Sequence, residues 1–168
     1  MTERFDPAIR RATENDLSAI RRIYNEGIVD RVATLDVDEK TDADISTWWN
    51  DHGERYVVLV GERSGEIVGW ASLNRYSHRC AYDGVADLSI YVARTARGGG
   101  IGSALLAELE RVAAEREFHK IVLFTFPFND AGRRLCGARG FREVGLFREQ
   151  GKLDGRFVDV MAMEKILE

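Results

Sequence analysis

The stretch Val85–Ser103, VADLSIYVARTARGGGIGS, decides how the rest of the chain is read. Ala86, Leu88, Ile90 and Val92 alternate with Asp87, Ser89 and Tyr91, the two-residue period of a strand with two unlike faces. Arg94 and Arg97 follow, then Gly98, Gly99, Gly100 and Gly102, with only Ile101 breaking the run. After Ser103 the pattern changes to ALLAELERVAA, a strong helix. Glycines between a strand and a helix let the backbone approach a ligand closely and aim its N–H groups at it. The helix N-terminus adds partial positive charge, so the ligand this stretch suits is a phosphate or pyrophosphate. A tight strand-to-helix turn needs one glycine. Four in five positions carry an entropic cost that turn-making alone does not explain.

Working outward, the 168 residues form a single domain, 1–168, long enough for a real core. Hydrophobic residues at 45% and charged residues at 31% are ordinary for a soluble globular protein. A net charge of −4 argues against a general nucleic-acid binder. Cys80 and Cys136 give no disulfide framework and suit a reducing compartment. No apolar run approaches membrane-spanning length, and the opening MTERFDPAIRRAT lacks an apolar secretory core. The expectation is a cytoplasmic enzyme or binding protein with no membrane partner. His52, His78 and His119 are scattered without ligand spacing, so no metal is expected.

The order of elements follows from periodicity and punctuation. Ala8 to Arg11 reads as a short strand, and Thr13 to Asp16 as a capping box. Leu17, Ile20, Ile23 and Tyr24 share one helical face, and Gly27 is the expected left-handed cap. Residues 28–37 are irregular and half apolar, either a loop lining a site or plain connection. Thr41 to Asp44 starts a second helix whose apolar side is Ile45, Trp48 and Trp49. Strands over 56–61 and 67–73 form a hairpin around Ser64-Gly65-Glu66. A loop carrying Arg75, Arg79 and Tyr82 leads into the central strand, the glycine loop and a helix to about Glu117. A buried strand over 120–126 stops at Pro127, and Asn129 caps a helix that Gly140 ends. Two last strands flank Lys152-Leu153-Asp154-Gly155, where the Asp-Gly pair marks a hairpin turn. The fold class is mixed α/β: a central, mostly antiparallel sheet of six to seven strands with about four helices. The one parallel pair flanks the helix after the glycine loop.

With these residues in place, the chain resembles the GNAT superfamily of N-acyltransferases. Arg97-Gly98-Gly99-Gly100-Ile101-Gly102 fits that family's Arg/Gln-x-x-Gly-x-Gly/Ala signature, in its usual place after the fourth strand. Asn129 through Phe141 is similar to the family's second half-site. IYNEGI, GWASL, AYDGVADLSIYV, GFREVG and GKLDGRFVDV look like phosphinothricin N-acetyltransferases and their arsinothricin- and methionine-sulfoximine-acetylating relatives. That resemblance implies acetyl-coenzyme A as cosubstrate, a small glutamate-like amino acid as acceptor, and a homodimer. It implies that Arg97 through Ser103, namely Arg97, Gly98, Gly99, Gly100, Ile101, Gly102 and Ser103, hold the pyrophosphate. Ser89, Ile90 and Val92 would lie along the pantetheine arm, with the backbones of Ile90 and Val92 pairing with its amides, and Asn129 would contact it. Many relatives carry a basic residue where Gly99 stands.

Acetyl transfer to an amine needs a neutral amine, a polarised thioester carbonyl and a proton for the departing thiolate. Asp87 is the candidate base, at a position where the family carries Glu; with the shorter side chain it acts either directly or through a water that relays the proton. A carboxylate is a poor strand former, which itself asks for a reason. The alternative is a surface residue or an ion-pair partner of Arg75 or Arg79. Cys136, where relatives carry Tyr or His, is the candidate acid, with a small core residue as the alternative. Arg75 and Arg79, with Tyr76 and Ser77 between them and Val85 and Ala86 beside them, are the candidate substrate grip, because guanidinium forks suit carboxylates. A solvated basic loop is the alternative there.

Three rival functions share parts of this pattern. A dinucleotide-binding domain would begin with its glycine motif and place an acid about 20 residues on. Here an antiparallel meander precedes the motif and His119-Lys120 stands at that distance, so this rival is rejected. A catalytically silent acyl-coenzyme A sensor would bind without turnover. An acetyltransferase of a protein N-terminus or lysine would favour an open peptide groove.

Overall fold

The computed structural model describes residues 7–168, so the first six residues of the charged opening segment lie outside it. The elements are β1 (Ala8–Arg11), α1 (Leu17–Asp30), α2 (Asp42–His52), β2 (Val58–Arg63), β3 (Glu66–Arg75), β4 (Val85–Val92), α3 (Ile101–Glu115), β5 (Lys120–Thr125), α4 (Asp130–Ala138), β6 (Arg142–Leu153) and β7 (Arg156–Ile166). Short 3-10 turns cover Glu14–Asp16, Cys80–Tyr82 and Arg94–Ala96. The seven strands form one sheet in the order β1-β2-β3-β4-β5-β7-β6. Every neighbouring pair is antiparallel except β4 and β5. This is the mixed, mostly antiparallel sheet that the pattern of periods implies. Among the described residues no helix is long and apolar enough to cross a membrane.

Local chemistry explains the helix starts. Thr13 donates its backbone N–H to Asp16 Oδ2 (2.8 Å), and the same carboxylate holds Arg10 Nη1 at 2.7 Å. Thr41 and Asp44 exchange bonds in the same way, Thr41 N to Asp44 Oδ2 at 2.8 Å and Asp44 N to Thr41 Oγ1 at 3.2 Å. α3 buries Ile101, Leu105, Leu106, Leu109 and Val112 along one face.

The helices divide the sheet into two sides. Ile101 and Leu105 of α3 sit over Gly61 and Gly69 on one side. On the other, α1 and α2 cover Trp70, Asn74 and Tyr91: Tyr24 and Trp48 meet Trp70, His52 meets Asn74, and Gly27 meets Tyr91.

Gly27 is a correction. α1 does not end there but continues to Asp30, and the left-handed cap is Arg31 (φ 57°), whose N–H donates to the Ile28 carbonyl at 3.2 Å. Gly27 is small for another reason: a Cβ would stand 3.0 Å from Tyr91 Cδ1. The glycine serves a close approach of helix to ring, not a stop. The last hairpin is also longer than expected, because β6 absorbs register shifts at Glu143/Gly145 and Phe147/Gly151 and stays paired to Leu153. Its turn is the expected Asp-Gly, with Asp154 and Gly155 at φ 50° and 81°.

Candidate active site

β4 and β5 pair only through Val85/Lys120, Ala86/Ile121 and Asp87/Val122. Beyond Asp87 they part, while β4 stays paired with β3 as far as Val92. The fork opens a cavity of about 850 Å³. Asp87 to Val92 form one wall and Leu123 to Phe126 the other; the start of α3 and residues of α4 close it.

At the mouth the wall is backbone. Gly98 and Gly100 take φ +77° and +87°, a region that side chains disfavour. This winding lays Gly98 and Gly100 to Ser103 along the cavity, where the first N–H groups of α3 have no partner within their helix. Gly102 answers a packing need, since a Cβ there would stand 3.0 Å from Leu135 Cδ2 of α4. Gly99 does not line the cavity, and its carbonyl accepts from Arg63 Nη2 at 3.0 Å. Arg97 stands at the mouth with Nη1 2.7 Å from Asp30 Oδ2, and Arg94 Nη2 donates to Asp30 Oδ1 at 2.7 Å. The Arg94 hydrogen bond, followed by that of Arg97, holds the Asp30 carboxyl below the usual carboxylate range.

At the fork the wall is side chain. Burial pushes the Asp87 carboxyl up to about 6, against the pull of the Asn74 amide and the Leu88 N–H. Asn74, directly across on β3, points Nδ2 at Ser89 Oγ (2.9 Å) and at Asp87 Oδ2 (3.4 Å). Its Oδ1 accepts from Ser72 Oγ at 2.9 Å and lies 2.9 Å from Nε2 of His52 at the end of α2.

A second cavity of about 520 Å³ shares Tyr24 and Ser89 with the first. Trp48, Trp70, Tyr24, Ile20 and Ile45 wall it, with Asp36, Lys40, Asp44 and Asp51 also lining it. The aromatic rings brace one another. Trp48 meets Trp70 edge-on at 5.4 Å, Trp70 stacks on Tyr91 at 5.2 Å, and Tyr91 meets Tyr24 edge-on at 4.9 Å. Tyr24 donates its hydroxyl to Asp36, and burial pushes the Tyr91 phenol up to about 12. The irregular segment after α1 lines this region, with Thr34 and Leu35 on the first cavity and Asp36 and Lys40 on the second.

Asp87, Ser89, Ile90, Val92, Arg97, Gly98, Gly100, Ile101, Gly102, Ser103, Asn129 and Cys136 thus come together on the first cavity. Asn129 also caps α4: its Oδ1 accepts from the Gly132 N–H (3.1 Å) and its Nδ2 donates to Thr125 Oγ1 (3.0 Å). Cys136 is buried in the wall, and burial with the negative Glu110 pushes its thiol up to about 12.

Arg75, Tyr76, Ser77 and Arg79 do not line either cavity. The reason is strand alternation. Arg75 follows Asn74 and emerges on the opposite face of β3, where its Cζ lies 5.3 Å from the Tyr56 ring centre. Arg79 is exposed on the connection that follows. Val85 and Ala86 belong to the closed part of the fork and are buried in the core. The sequence reading passed over Asn74, His52, Tyr24, Trp48 and Trp70 as site residues. Asn74 carried a usable signal, being a poor strand former in register with Asp87. His52 carried none.

Comparison with known proteins matches this geometry. The acetyltransferase (GNAT) family model matches residues 17–141. The putative phosphinothricin acetyltransferase YwnH of Bacillus subtilis is 33% identical over 160 residues, covering 95% of this chain and 98% of that protein. A ribosomal-protein-alanine N-acetyltransferase from Brucella melitensis superposes with a TM-score of 0.92 at 37% identity, over 95% of this chain and 99% of its own. A GNAT superfamily phosphinothricin acetyltransferase from Sinorhizobium meliloti, solved in complex with acetyl-coenzyme A, superposes with a TM-score of 0.91 at 29% identity, over 96% and 88%. With a forked sheet, a glycine loop at a helix start and a carboxylate at the fork, this chain belongs to the GNAT family of acetyltransferases.

Proposed function

We propose that the protein acetylates the α-amino group of a small glutamate-like amino acid by direct transfer, with both substrates bound together. The observation that carries this reading is the position of Asp87, at the fork of one cavity and two residues from Ser89, which borders both. Acetyl-coenzyme A, the cosubstrate, supplies the acetyl group as a thioester and leaves as the thiol. The first cavity suits it: backbone N–H groups and Arg97 for the pyrophosphate, and the unpaired edge of β4 for the pantetheine amides. Arg97 must exchange Asp30 for that partner. The second cavity takes the amino acid, with Lys40 for a carboxylate and Trp48, Trp70 and Tyr24 around the side chain.

In the reaction a C–N bond forms, the C–S bond breaks, and one proton passes from nitrogen to sulfur overall. With a carboxyl near 6, Asp87 is ionised at neutral pH and takes the amine proton directly or through a water. Once protonated it is a competent acid for a thiolate, whose ordinary value is about 8.5. Cys136, held near 12, keeps its proton, so it acts as cavity wall and not as the acid the sequence suggested. Holding the two reactants side by side contributes up to about 7–11 kcal/mol to the barrier reduction. We further infer a homodimer in the cytoplasm; the exposed Leu146, Phe147 and Phe157 on β6 and β7 supply an apolar face for a second copy.

The test is acetyl-coenzyme A consumption with phosphinothricin, arsinothricin, methionine sulfoximine, methionine sulfone, glutamate and a peptide with N-terminal alanine. The peptide is included because of the Brucella neighbour's name. Saturable turnover on a glutamate analogue, with kcat down about 100-fold or more in Asp87→Asn, supports the reading. Turnover on the peptide alone, or an Asp87→Asn enzyme within threefold of the parent, overturns it.

A further inference from the structure

We propose that Asn74 and His52 are positioning residues for Asp87: His52 fixes the direction of the Asn74 amide, and the amide holds the carboxylate in its charged form. The inference rests on Asp87 as the base, but its geometry stands separately.

The Asn74 side chain has four neighbours. Two sit on the oxygen side, Ser72 Oγ at 2.9 Å and His52 Nε2 at 2.9 Å; two sit on the nitrogen side, Ser89 Oγ at 2.9 Å and Asp87 Oδ2 at 3.4 Å. An ionised carboxylate only accepts, so it requires the amide nitrogen. Turning the amide over would set Oδ1 against the Asp87 oxygen. The orientation therefore depends on what lies behind Oδ1: Ser72 Oγ donates to it, and His52 Nε2 donates in the tautomer that carries its hydrogen there. Ser72 is fully buried and comes from the same strand. His52 comes from α2 and is itself held: Trp48 packs its ring at a centroid distance of 4.4 Å, and His52 Nδ1 lies 2.9 Å from the Trp48 carbonyl oxygen. Nε2 faces the Asn74 amide oxygen, which only accepts, so the ring supports this orientation through an N–H at Nε2.

Other titratable groups around the corner do not replace this pair. Tyr91, on the same face of β4, bears on Asp87 only weakly and as a competing negative group. Tyr24 and Asp36, from α1 and the segment after it, bond to each other. Among the described residues no cation is paired with Asp87, and β5 offers Val122 opposite it. The Asn74 amide and the Leu88 N–H are the groups that oppose the burial of this carboxylate. A third link, from a helix end, keeps one of them pointed the right way. The 3.4 Å separation from Asp87 is long, as catalytic contacts are before substrate closes the site.

The experiment is a carbon-detected NMR titration of the Asp87 carboxyl in the whole protein, assigned by its absence in Asp87→Asn. The parent is compared with Asn74→Leu, His52→Phe and His52→Gln. Phenylalanine keeps the stack on Trp48 and removes both ring nitrogens; glutamine restores an N–H donor. The expected result is a midpoint near 6 in the parent, about one pH unit higher in Asn74→Leu, shifted the same way by less in His52→Phe, and back toward the parent in His52→Gln. The acid limb of kcat/KM on the best amine should move with it, while KM for acetyl-coenzyme A stays within threefold. A His52→Phe midpoint equal to the parent's, or equal shifts in His52→Phe and His52→Gln, overturns the proposal. These readouts do not depend on the identity of the acceptor: loss of the function reading would appear as active Asp87→Asn, whereas loss of this one appears as an unmoved midpoint.

Discussion

At its mouth the first cavity is lined by main chain, wound by two glycines with positive φ into the start of α3. At its fork a side chain, Asp87 on β4, lines it, backed by Asn74 on β3 and, behind that, His52 on α2. On the proposed reading the mouth meets a pyrophosphate that is the same for every acyl-coenzyme A reaction, and the fork meets the acceptor, which differs from one enzyme to another. Backbone suits the first task because its N–H groups are fixed once the winding is fixed. Side chains suit the second because they can change without moving the strands that carry them.

If the mouth works through winding alone, a residue that refuses the winding should do the greatest harm. Gly100 (φ +87°) and Gly65 (φ +79°, in the turn between β2 and β3) both have open space around a built Cβ. Gly100→Val and Gly65→Val therefore carry the same kind of strain, of order 1–3 kcal/mol. The expected outcome is a similar loss of melting temperature in both. Only Gly100→Val should lose about 100-fold in kcat/KM for acetyl-coenzyme A, since an ångström of misplacement is worth about that much. Equal activity in the two variants would show that the loop's backbone does not position the cosubstrate.

The same contrast explains what could be read from the chain. The alternation through Val85–Val92 and the glycine run are local, so the fork strand, the loop and the helix start were visible as a unit. The Asp87 corner is not local. Asn74 is 13 residues from Asp87 and meets it only through cross-strand register, and His52 lies 22 residues from Asn74. Side-chain direction was the other hidden quantity. Arg75 had the right chemistry for a carboxylate, but one step along a strand turned it to the face of Tyr56. Gly27 was misread for a related reason: a glycine near the end of an apolar stripe resembles a cap, and nothing nearby reveals that a ring from β4 presses on it.

A smaller effect sharpens the electrostatic part of the mouth. Arg97 is half-exposed and shares Asp30 with Arg94, so it contributes less than a buried guanidinium would. Arg97→Ala should raise KM for acetyl-coenzyme A about tenfold, roughly 1.4 kcal/mol, with kcat little changed. Asp30→Asn should act in the opposite direction, lowering that KM by a few-fold, because it releases Arg97 toward the anion. Steady-state kinetics at low and high salt would check both, since screening should shrink the two effects together. A rise in KM in Asp30→Asn would mean that the ion pair holds Arg97 in place for the cosubstrate and does not compete with it.

The smallest expected effect concerns the cost of keeping a carboxylate at the fork. Burial raises Asp87 from its ordinary 3.8 to about 6 in the folded protein, which means that the folded state disfavours its charge. A group shifted this way contributes stability below its unfolded value, and that contribution is lost as pH rises through its folded value. At 1.36 kcal/mol per unit the full shift would be worth about 3 kcal/mol. Solvent contact of the side chain and the burial cost of a replacing amide reduce the visible difference to about 1 kcal/mol. Asp87→Asn should therefore melt about 2–4 °C above the parent at pH 8. That gap should close as the pH falls from about 6.5 to 4, where the parent's carboxyl is protonated. Gly100→Val and Arg97→Ala should show no such pH-dependent gain, because the mouth buries no charge of its own. A variant that is dead in catalysis, more stable at pH 8 and no more stable at pH 4 would locate the conflict between folding and function in one side chain. An Asp87→Asn enzyme less stable than the parent at both pH values would place Asp87 among the residues that hold the sheet together.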